Sequence, residues 1–173
     1  MISLFINRIF RSIKIDPEVF NEIKKDKRAT LSAAIVVILS STAAGIGATA
    51  LGVNNLILAP IYSLISWFIW AYIVYFVGVK LFPDLKTKTT QFALLRVIGF
   101  SSAPGIIRIF AFNEGLMIVT FLGSFIWMLA CMVVAVKETL NYKSLWKALG
   151  VVIISWLMQG FFLLTIIAIT TNV

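Results

Sequence analysis

Five apolar stretches dominate the chain, and each is long enough to cross a bilayer as a helix. A transmembrane helix needs about 20 mostly apolar residues, because each residue advances it by about 1.5 Å through a hydrocarbon layer of about 30 Å. The pattern therefore predicts an all-α membrane protein, a bundle of five transmembrane helices that forms a single domain over residues 29–173. The predicted spans cover roughly residues 29–52, 57–79, 91–112, 116–136 and 147–169.

The segment before the first span has the periodicity of an amphipathic helix. Its apolar positions share one helical face: Ile2, Phe5, Ile6, Ile9 and Ile13. Its polar positions share the other face: Ser3, Asn7, Arg11 and Lys14. The pattern predicts a helix on the membrane surface, with Phe5, Ile6 and Ile9 facing lipid. Arg11 and Lys14 would then contact anionic headgroups of the inner leaflet. The same apolar face is also suited to docking on the bundle, and the two arrangements are compatible.

A second short helix is predicted to follow. Asp16 is a favourable N-cap, Pro17 suits the first helical position, and Glu18 lies in the first turn, where the helix dipole favours negative charge. The mixed charges that follow favour a solvated face, with docking of a partner as the alternative. Residues 1–28 are thus predicted to be cytoplasmic or interfacial amphipathic helices. They lack a continuous apolar core and a cleavage site, so we expect no cleaved signal peptide.

The basic residues predict how the spans are oriented. Of 15 Lys and Arg residues, 13 lie before the first span, between spans two and three, or between spans four and five. The two remaining loops and the C-terminal tail carry none. Because cytoplasmic loops are rich in Lys and Arg, the N-terminus is predicted to be cytoplasmic and the C-terminus outside. The net charge of +8 is then explained by orientation and anionic lipids, and nucleic-acid binding is not expected.

The third span contains an interruption. Pro104 removes a backbone donor and crowds the carbonyl of Phe100, so the helix should kink or break there. Ser101 and Ser102 are close enough to satisfy the freed carbonyl, and Gly99 allows close helix approach. Two interpretations remain open: a kink sealed by its own serines and buried among neighbouring helices, or a broken helix that lines a small cavity.

Further polar residues fall at mid-depth of the predicted spans. Ser66 and Trp67 in the second span and Gln159 in the fifth are predicted to form a polar cluster with Ser101 and Ser102. Such a cluster serves either as interhelical hydrogen bonding or as a ligand pocket.

The third span and the loop after it also carry charge. Arg96, Arg108 and Glu114 are the candidate intramembrane charges. The two arginines are predicted to snorkel toward the interfaces, and a functional ionisable residue is the alternative. A short turn would allow Arg108 and Glu114 to pair.

The residue inventory argues against an enzyme. The chain has no His and a single Cys, Cys131, so neither a His/Cys metal site nor an internal disulfide is expected. No Asp or Glu falls at mid-membrane to act as a general base, and no phosphate-binding loop is present. We therefore expect no catalytic residue, no metal and no cofactor.

Several short motifs together carry a family resemblance. They are Ile15-Asp16-Pro17, the pair Ile23 and Asp26, Tyr75-x-x-Gly78 in a Trp-rich span, and the segment from Arg96 to Pro104. The chain resembles the Yip1-domain family in its short bacterial-type form. Gly99, Phe100, Ser101 and Pro104 are similar to a Gly-Tyr-Ser-x-x-Pro pattern of eukaryotic members, with Phe in place of Tyr.

The resemblance implies five spans, a cytoplasmic N-terminus and, for the short form, a bacterial inner or plasma membrane. Eukaryotic members resemble trafficking adaptors that contact Rab GTPases through a long cytosolic region with an Asp-Leu-Tyr-Gly-Pro-like motif. That region is not found in this sequence, so Rab-type GTPase binding is not expected.

Two function classes follow from the sequence. The first is a non-enzymatic scaffold, accessory subunit or membrane-organising adaptor, whose partners are membrane lipids and another membrane protein or complex. The alternative is a small transporter or channel that uses the broken third span.

Overall fold

The computed structural model describes residues 2–49 and 58–171, with backbone alone for residues 162, 163 and 165–171. The predicted end of the first span, the loop around residues 53–56 and the last two residues of the tail lie outside the described residues. Within the described residues every regular element is helical. The elements are α1 (Ile2–Ile13), α2 (Pro17–Lys25), α3 (Ala29–Ala48), α4 (Leu58–Tyr75), a π segment (Phe76–Leu81), α5 (Gln91–Ser101), a 3₁₀ segment (Ala103–Phe110), α6 (Glu114–Leu140) and α7 (Leu145–Thr171).

Four helical stretches within the described residues are long and apolar enough to cross a membrane, and α7 contributes a shorter apolar stretch, Leu145–Phe161. The four are Ala29–Ala48, Leu58–Leu81, Gln91–Phe110 and Glu114–Leu140. The last of them has 27 residues, so it is about 40 Å long and exceeds a hydrocarbon layer of about 30 Å. Helix α6 therefore extends beyond the hydrocarbon, and Lys137 and Glu138 lie in its last turn.

The first two helices form a hairpin, named here the α1–α2 hairpin. The chain reverses between them at Ile15, whose φ of 57° lies in the left-handed region. Helix α2 begins as its sequence predicts, with Pro17 in the first turn and the Asp16 carboxylate accepting a hydrogen bond from the Glu18 amide at 2.9 Å. It ends at Asp26, which leads directly into α3.

The α1–α2 hairpin is part of the hydrophobic core. Val19, Phe20 and Ile23 of α2 are fully buried where α2 packs against α5 and α6. Helix α5 is the centre of this packing, since all nine residues from 93 to 101 are buried. The short apolar face of α2 therefore packs among the spans, and only its charged face remains exposed.

Helix α1 divides its apolar residues between two surfaces. Phe5 packs edge-on against Phe100 with ring centroids 6.4 Å apart, and Ile9 also packs against the core. A neighbouring stripe of three apolar residues stays exposed: Ile2, Ile6 and Phe10. The structure thus docks one side of α1 on the bundle and leaves an apolar edge, named here the α1 stripe, available to the surroundings.

Small residues bring α3 close to the third span. A Cβ on Gly99 would lie 2.8 Å from the Cβ of Ala33. The two helices therefore approach so closely at this point that a larger residue at position 99 would clash. Ser40 meets Gly105 in the same way, and Gly47 packs against the backbone of Arg108. The small residues of α3 therefore mediate packing within the chain.

Candidate functional site

The third span changes its helix type at the serines. Helix α5 ends at Ser101, and a 3₁₀ helix follows from Ala103, with Pro104 in its first turn. The Ser101 hydroxyl donates to the carbonyl of Ile98 at 2.7 Å, and the Ser102 hydroxyl donates to that of Gly99 at 2.6 Å. The serines thus bond carbonyls three residues back rather than the Phe100 carbonyl expected from the sequence.

A cavity of about 1030 Å³ lies beside this break, among described residues of α3, α4, α6 and α7. Most of its wall is apolar, and a limited set of polar side chains lines it: Ser40, Ser41, Ser63, Ser66, Ser102, Arg108 and Gln159. Trp67, Trp70 and Trp156 also contribute to the wall. This volume is at the upper end of the range of about 300–1,000 Å³ that is typical of small-molecule sites.

The structure brings most of the predicted polar cluster to this cavity. Gln159 Nε2 donates to Ser66 Oγ at 2.9 Å, which joins α7 to α4. The Trp67 indole donates to the Leu95 carbonyl at 3.0 Å, which joins α4 to α5. Ser102 lines the cavity, whereas Ser101 is fully buried and does not. The cluster therefore consists of separate hydrogen bonds around a shared space.

Several cavity residues escaped the sequence reasoning. Ser40 is one of the small residues of α3, and neither it nor Met128 nor Trp156 is singled out by the sequence patterns. Trp70 shares a helical face with Trp67, and its indole lies 3.3 Å from the Met132 sulfur. Of these residues, only Trp70 could have been predicted from the sequence, because helical periodicity places it on the same face of α4 as Trp67.

Arg108 extends into the bundle. Its Nε donates to Ser124 Oγ at 2.7 Å, its Nη2 lies 3.5 Å from the Met128 sulfur, and its guanidinium lies 5.1 Å from the centre of the Phe121 ring. Ser124 comes ten residues after Glu114, or about 15 Å along α6. The charge thus lies beside the length of α6 rather than beyond its end, and no ion pair among the described residues includes it.

Arg96 has a different environment. Its side chain is 5% exposed, and its Nε donates to the Ile23 carbonyl at 3.2 Å. Its Nη2 donates to the carbonyl of Lys24. These are carbonyls of the last turn of α2, where the helix dipole attracts positive charge. The Ile23 carbonyl also accepts a hydrogen bond from the Asp26 amide at 3.2 Å. Arg96 therefore ties α2 to the third span, a role that differs from the snorkelling expected for it.

Glu114 is the first residue of α6. Asn113 caps this helix by accepting a hydrogen bond from the Leu116 amide at 2.9 Å. A carboxylate in the first turn is favoured by the helix dipole. Because Arg108 turns toward Ser124, the pairing with Glu114 that a short turn would allow does not form.

Ion pairs hold the α1–α2 hairpin. Arg8 Nη1 lies 2.7 Å from Asp26, and its hydrogen bond holds the pKa of that carboxyl below the ordinary value. Arg11 lies 2.7 Å from both Asp16 and Glu22, and its hydrogen bond likewise lowers the pKa of Asp16. Arg11, predicted to face lipid headgroups, is thus engaged within the hairpin.

Helix α2 is also tied to α6 through its polar side. Asn21 Nδ2 donates to a Glu138 carboxylate oxygen at 2.9 Å. Lys24 Nζ donates to the Glu138 carbonyl at 2.6 Å, and burial lowers the pKa of this lysine. The hairpin is therefore fixed to α5 by Arg96 and to α6 by Glu138.

No group of three or more His, Cys, Asp or Glu residues in the described part of the chain is arranged to hold a metal ion. Cys131 is buried, and its thiol lies 3.3 Å from the Ser12 carbonyl. Cys131 therefore contributes to the packing of α6 against the end of α1.

The described helices are long enough to cross a membrane and carry exposed apolar side chains along their length, while most of the charged residues lie beyond their ends. These features define an integral, multi-pass membrane protein. The model of the Yip1 domain family matches residues 10–167, which is most of the chain. The chain therefore belongs to the Yip1 domain family, and the resemblance inferred from its motifs is confirmed. This family is not a known enzyme family. No curated protein and no solved structure matches the chain.

Proposed function

We propose that this protein is a non-enzymatic scaffold, an accessory subunit or membrane-organising adaptor that holds another membrane protein or complex. The observation that supports this role is the fixed position of the α1–α2 hairpin. Phe20, Arg96 and Glu138 hold its inner side, while the α1 stripe remains exposed at its edge. A rigid platform with an exposed apolar edge is suited to contact lipids and a partner helix together.

We further propose that the chain crosses a bacterial inner membrane five times, with its N-terminus in the cytoplasm and its C-terminus outside. Helix α7 runs for 27 residues from Leu145 to Thr171 and would supply the fifth crossing. The asymmetry of Lys and Arg supports this orientation. Single cysteines placed at Lys143 and at Val173, in a Cys131→Ala background, test it in intact cells. Labelling of Val173 alone by an impermeant reagent is expected, and labelling of Lys143 alone would refute it.

Recovery of a stoichiometric partner tests the scaffold role. The protein should be extracted from native membranes in a mild detergent and its associated proteins quantified. In the double variant Ile6→Ser, Phe10→Ser, which alters the α1 stripe and leaves the docked face intact, association should fall severalfold. Leu85→Ser is the matched control, because Leu85 is 99% exposed and is not part of the α1 stripe. Equal recovery of the partner in all three proteins contradicts the role of the α1 stripe.

A second function is favoured by one observation, the cavity beside the broken third span. As a small transporter, the protein would use Ser102, Gln159 and the break at Pro104 to pass a solute. Purified protein in liposomes should then conduct ions or small solutes, and Ser102→Ala should alter the flux. Flux that depends on Ser102 would replace the scaffold proposal, and the absence of flux would leave the scaffold as the function.

A further inference from the structure

The cavity holds a charge that no acidic group among the described residues neutralises. Placing a guanidinium within a membrane-spanning segment is costly, and such residues usually pair with an acid or face water. The nearest groups to Arg108 are a hydroxyl, a thioether and an aromatic ring face, all contributed by α6. They orient the guanidinium without supplying negative charge.

The guanidinium keeps unused donors. Arginine carries five N–H donors in a planar fork that matches phosphate and carboxylate oxygens. Within the described residues only Nε of Arg108 bonds an oxygen atom, that of Ser124. The two terminal nitrogens therefore have no oxygen partner in this part of the chain, although the side chain lines the cavity.

The rest of the cavity suits hydrocarbon. Its wall is mainly apolar and includes Val37, Leu129 and Val152. Ile153 and Leu157 of α7 also line it and are 43% and 63% exposed. The cavity is therefore partly open within the described structure, so a molecule can enter it from outside.

We propose that this cavity binds an anionic phospholipid, with one acyl chain along the apolar wall and the phosphate on Arg108. An apolar space with a single unneutralised cation is complementary to an acyl chain that carries one acidic group. In a membrane the molecules with that chemistry are anionic lipids. This site is separate from the α1 stripe and does not depend on the scaffold role.

Native mass spectrometry of the full chain, incubated with phosphatidylglycerol or with phosphatidylcholine, tests the proposal. The wild-type protein should retain one phosphatidylglycerol molecule in preference to phosphatidylcholine. Arg108→Gln should weaken that adduct by about tenfold or more, since a charge-assisted pair is lost. Lys143→Gln is the matched control, because it removes one exposed positive charge far from the cavity.

Two glycine substitutions on α7 distinguish a blocked cavity from an unfolded protein. A Cβ added at Gly160 meets no atom of the described structure within 4 Å, and Gly160 lines the cavity. Gly150 is equally open, lies on the same helix and does not line the cavity. Gly160→Leu should therefore reduce phosphatidylglycerol retention, and Gly150→Leu should retain it.

Thermal unfolding in detergent gives a second readout. Phosphatidylglycerol should raise the unfolding temperature of the wild type and of Gly150→Leu, and should not raise that of Arg108→Gln, because a ligand stabilises only the state that binds it. The proposal is overturned if Arg108→Gln keeps the adduct, if phosphatidylcholine binds equally well, or if free fatty acid is the only lipid retained.

Discussion

The third span has an arginine near each end, and the two guanidinium groups have different surroundings. Arg96 lies in the hairpin half, defined as the α1–α2 hairpin with the parts of α5 and α6 that it contacts. There the guanidinium is buried and bonds two carbonyls of α2. Arg108 lies in the cavity half, defined as the 3₁₀ segment and the helices around the cavity. Among the described residues its guanidinium has only neutral partners, and it borders the cavity.

This difference indicates which part of the molecule determines stability and which part determines ligand binding. Where a cation donates hydrogen bonds to carbonyls at the end of a helix, it contributes to the folded state, and its removal lowers stability. Where a cation has no neutralising partner, it lowers the stability of the isolated protein and is available to bind an anionic ligand. The hairpin half is therefore expected to determine stability and the cavity half to determine binding.

The largest effect is expected at the centre of the hairpin half. Phe20 is fully buried between α2 and the spans, so Phe20→Ala should lower the free energy of unfolding by about 3–5 kcal/mol. Denaturant titration in a mild detergent measures this quantity. Leu85→Ala, at a 99% exposed position, serves as the control and should change it by less than about 0.5 kcal/mol. Similar values for the two variants would show that the hairpin is not part of the core.

The two arginines give the most direct test of the comparison. Arg96→Ala removes the charge-assisted hydrogen bonds to the Ile23 and Lys24 carbonyls and should cost about 2–3 kcal/mol of stability. Arg108→Ala in lipid-free detergent should cost much less, because it also removes an unneutralised charge. The same titration compares both variants, and equal losses would contradict the division between the halves.

A smaller effect is expected at Tyr142, beyond the end of α6. Its hydroxyl lies 2.7 Å from the Gly78 carbonyl and 2.6 Å from the Phe82 carbonyl, so it clamps the π segment. Tyr142→Phe should cost about 1 kcal/mol. Burial also raises the pKa of Tyr142 from 10.0 to about 12.

Because the folded-state pKa of Tyr142 is raised, its contribution to stability is complete below pH 10 and is lost as the pH rises toward 12. Ultraviolet titration of tyrosinate, with Tyr142→Phe as the reference, measures this step. Ionisation of Tyr142 near pH 10 in the folded protein would contradict the clamp.

The smallest effect is expected at the surface of the hairpin half. Arg8 lowers the pKa of Asp26 below its ordinary value of 3.8. Because this folded-state pKa is depressed, the contribution of the pair is present above about pH 4 and is lost as the pH falls through the lowered value. The protection of α1 amides from hydrogen exchange, relative to their intrinsic rates, should therefore fall in acid, and it should already be lower in Asp26→Asn at neutral pH. An acid response that is unchanged in Asp26→Asn would exclude this pair as its cause.

Much of the fold could be predicted because it follows from local patterns. The apolar runs locate the helices, Asp16 and Pro17 mark the start of α2, and Pro104 marks the change in the third span. The pair of Ser66 and Gln159 was also found, since equal depth in two spans places residues close together. In each case the signal lies in side-chain type and spacing.

The partners of the two arginines could not be predicted in this way. Arg96 bonds backbone carbonyls more than 70 residues away, and a backbone acceptor leaves no mark in the sequence. The direction of Arg108 depends on the 3₁₀ segment, whose turn differs from that of an α-helix. The π segment at Phe76–Leu81 likewise alters the register of side chains without any change in apolar pattern.

The long separation between Asn21 and Glu138 has a consequence for biosynthesis. The two residues that join α2 to α6 are 117 positions apart, so the α6 part of the docking surface does not exist until α6 has been synthesised. Until then the hairpin can be held by α5 alone, through Arg96. The hairpin therefore completes its docking only after most of the chain has been made.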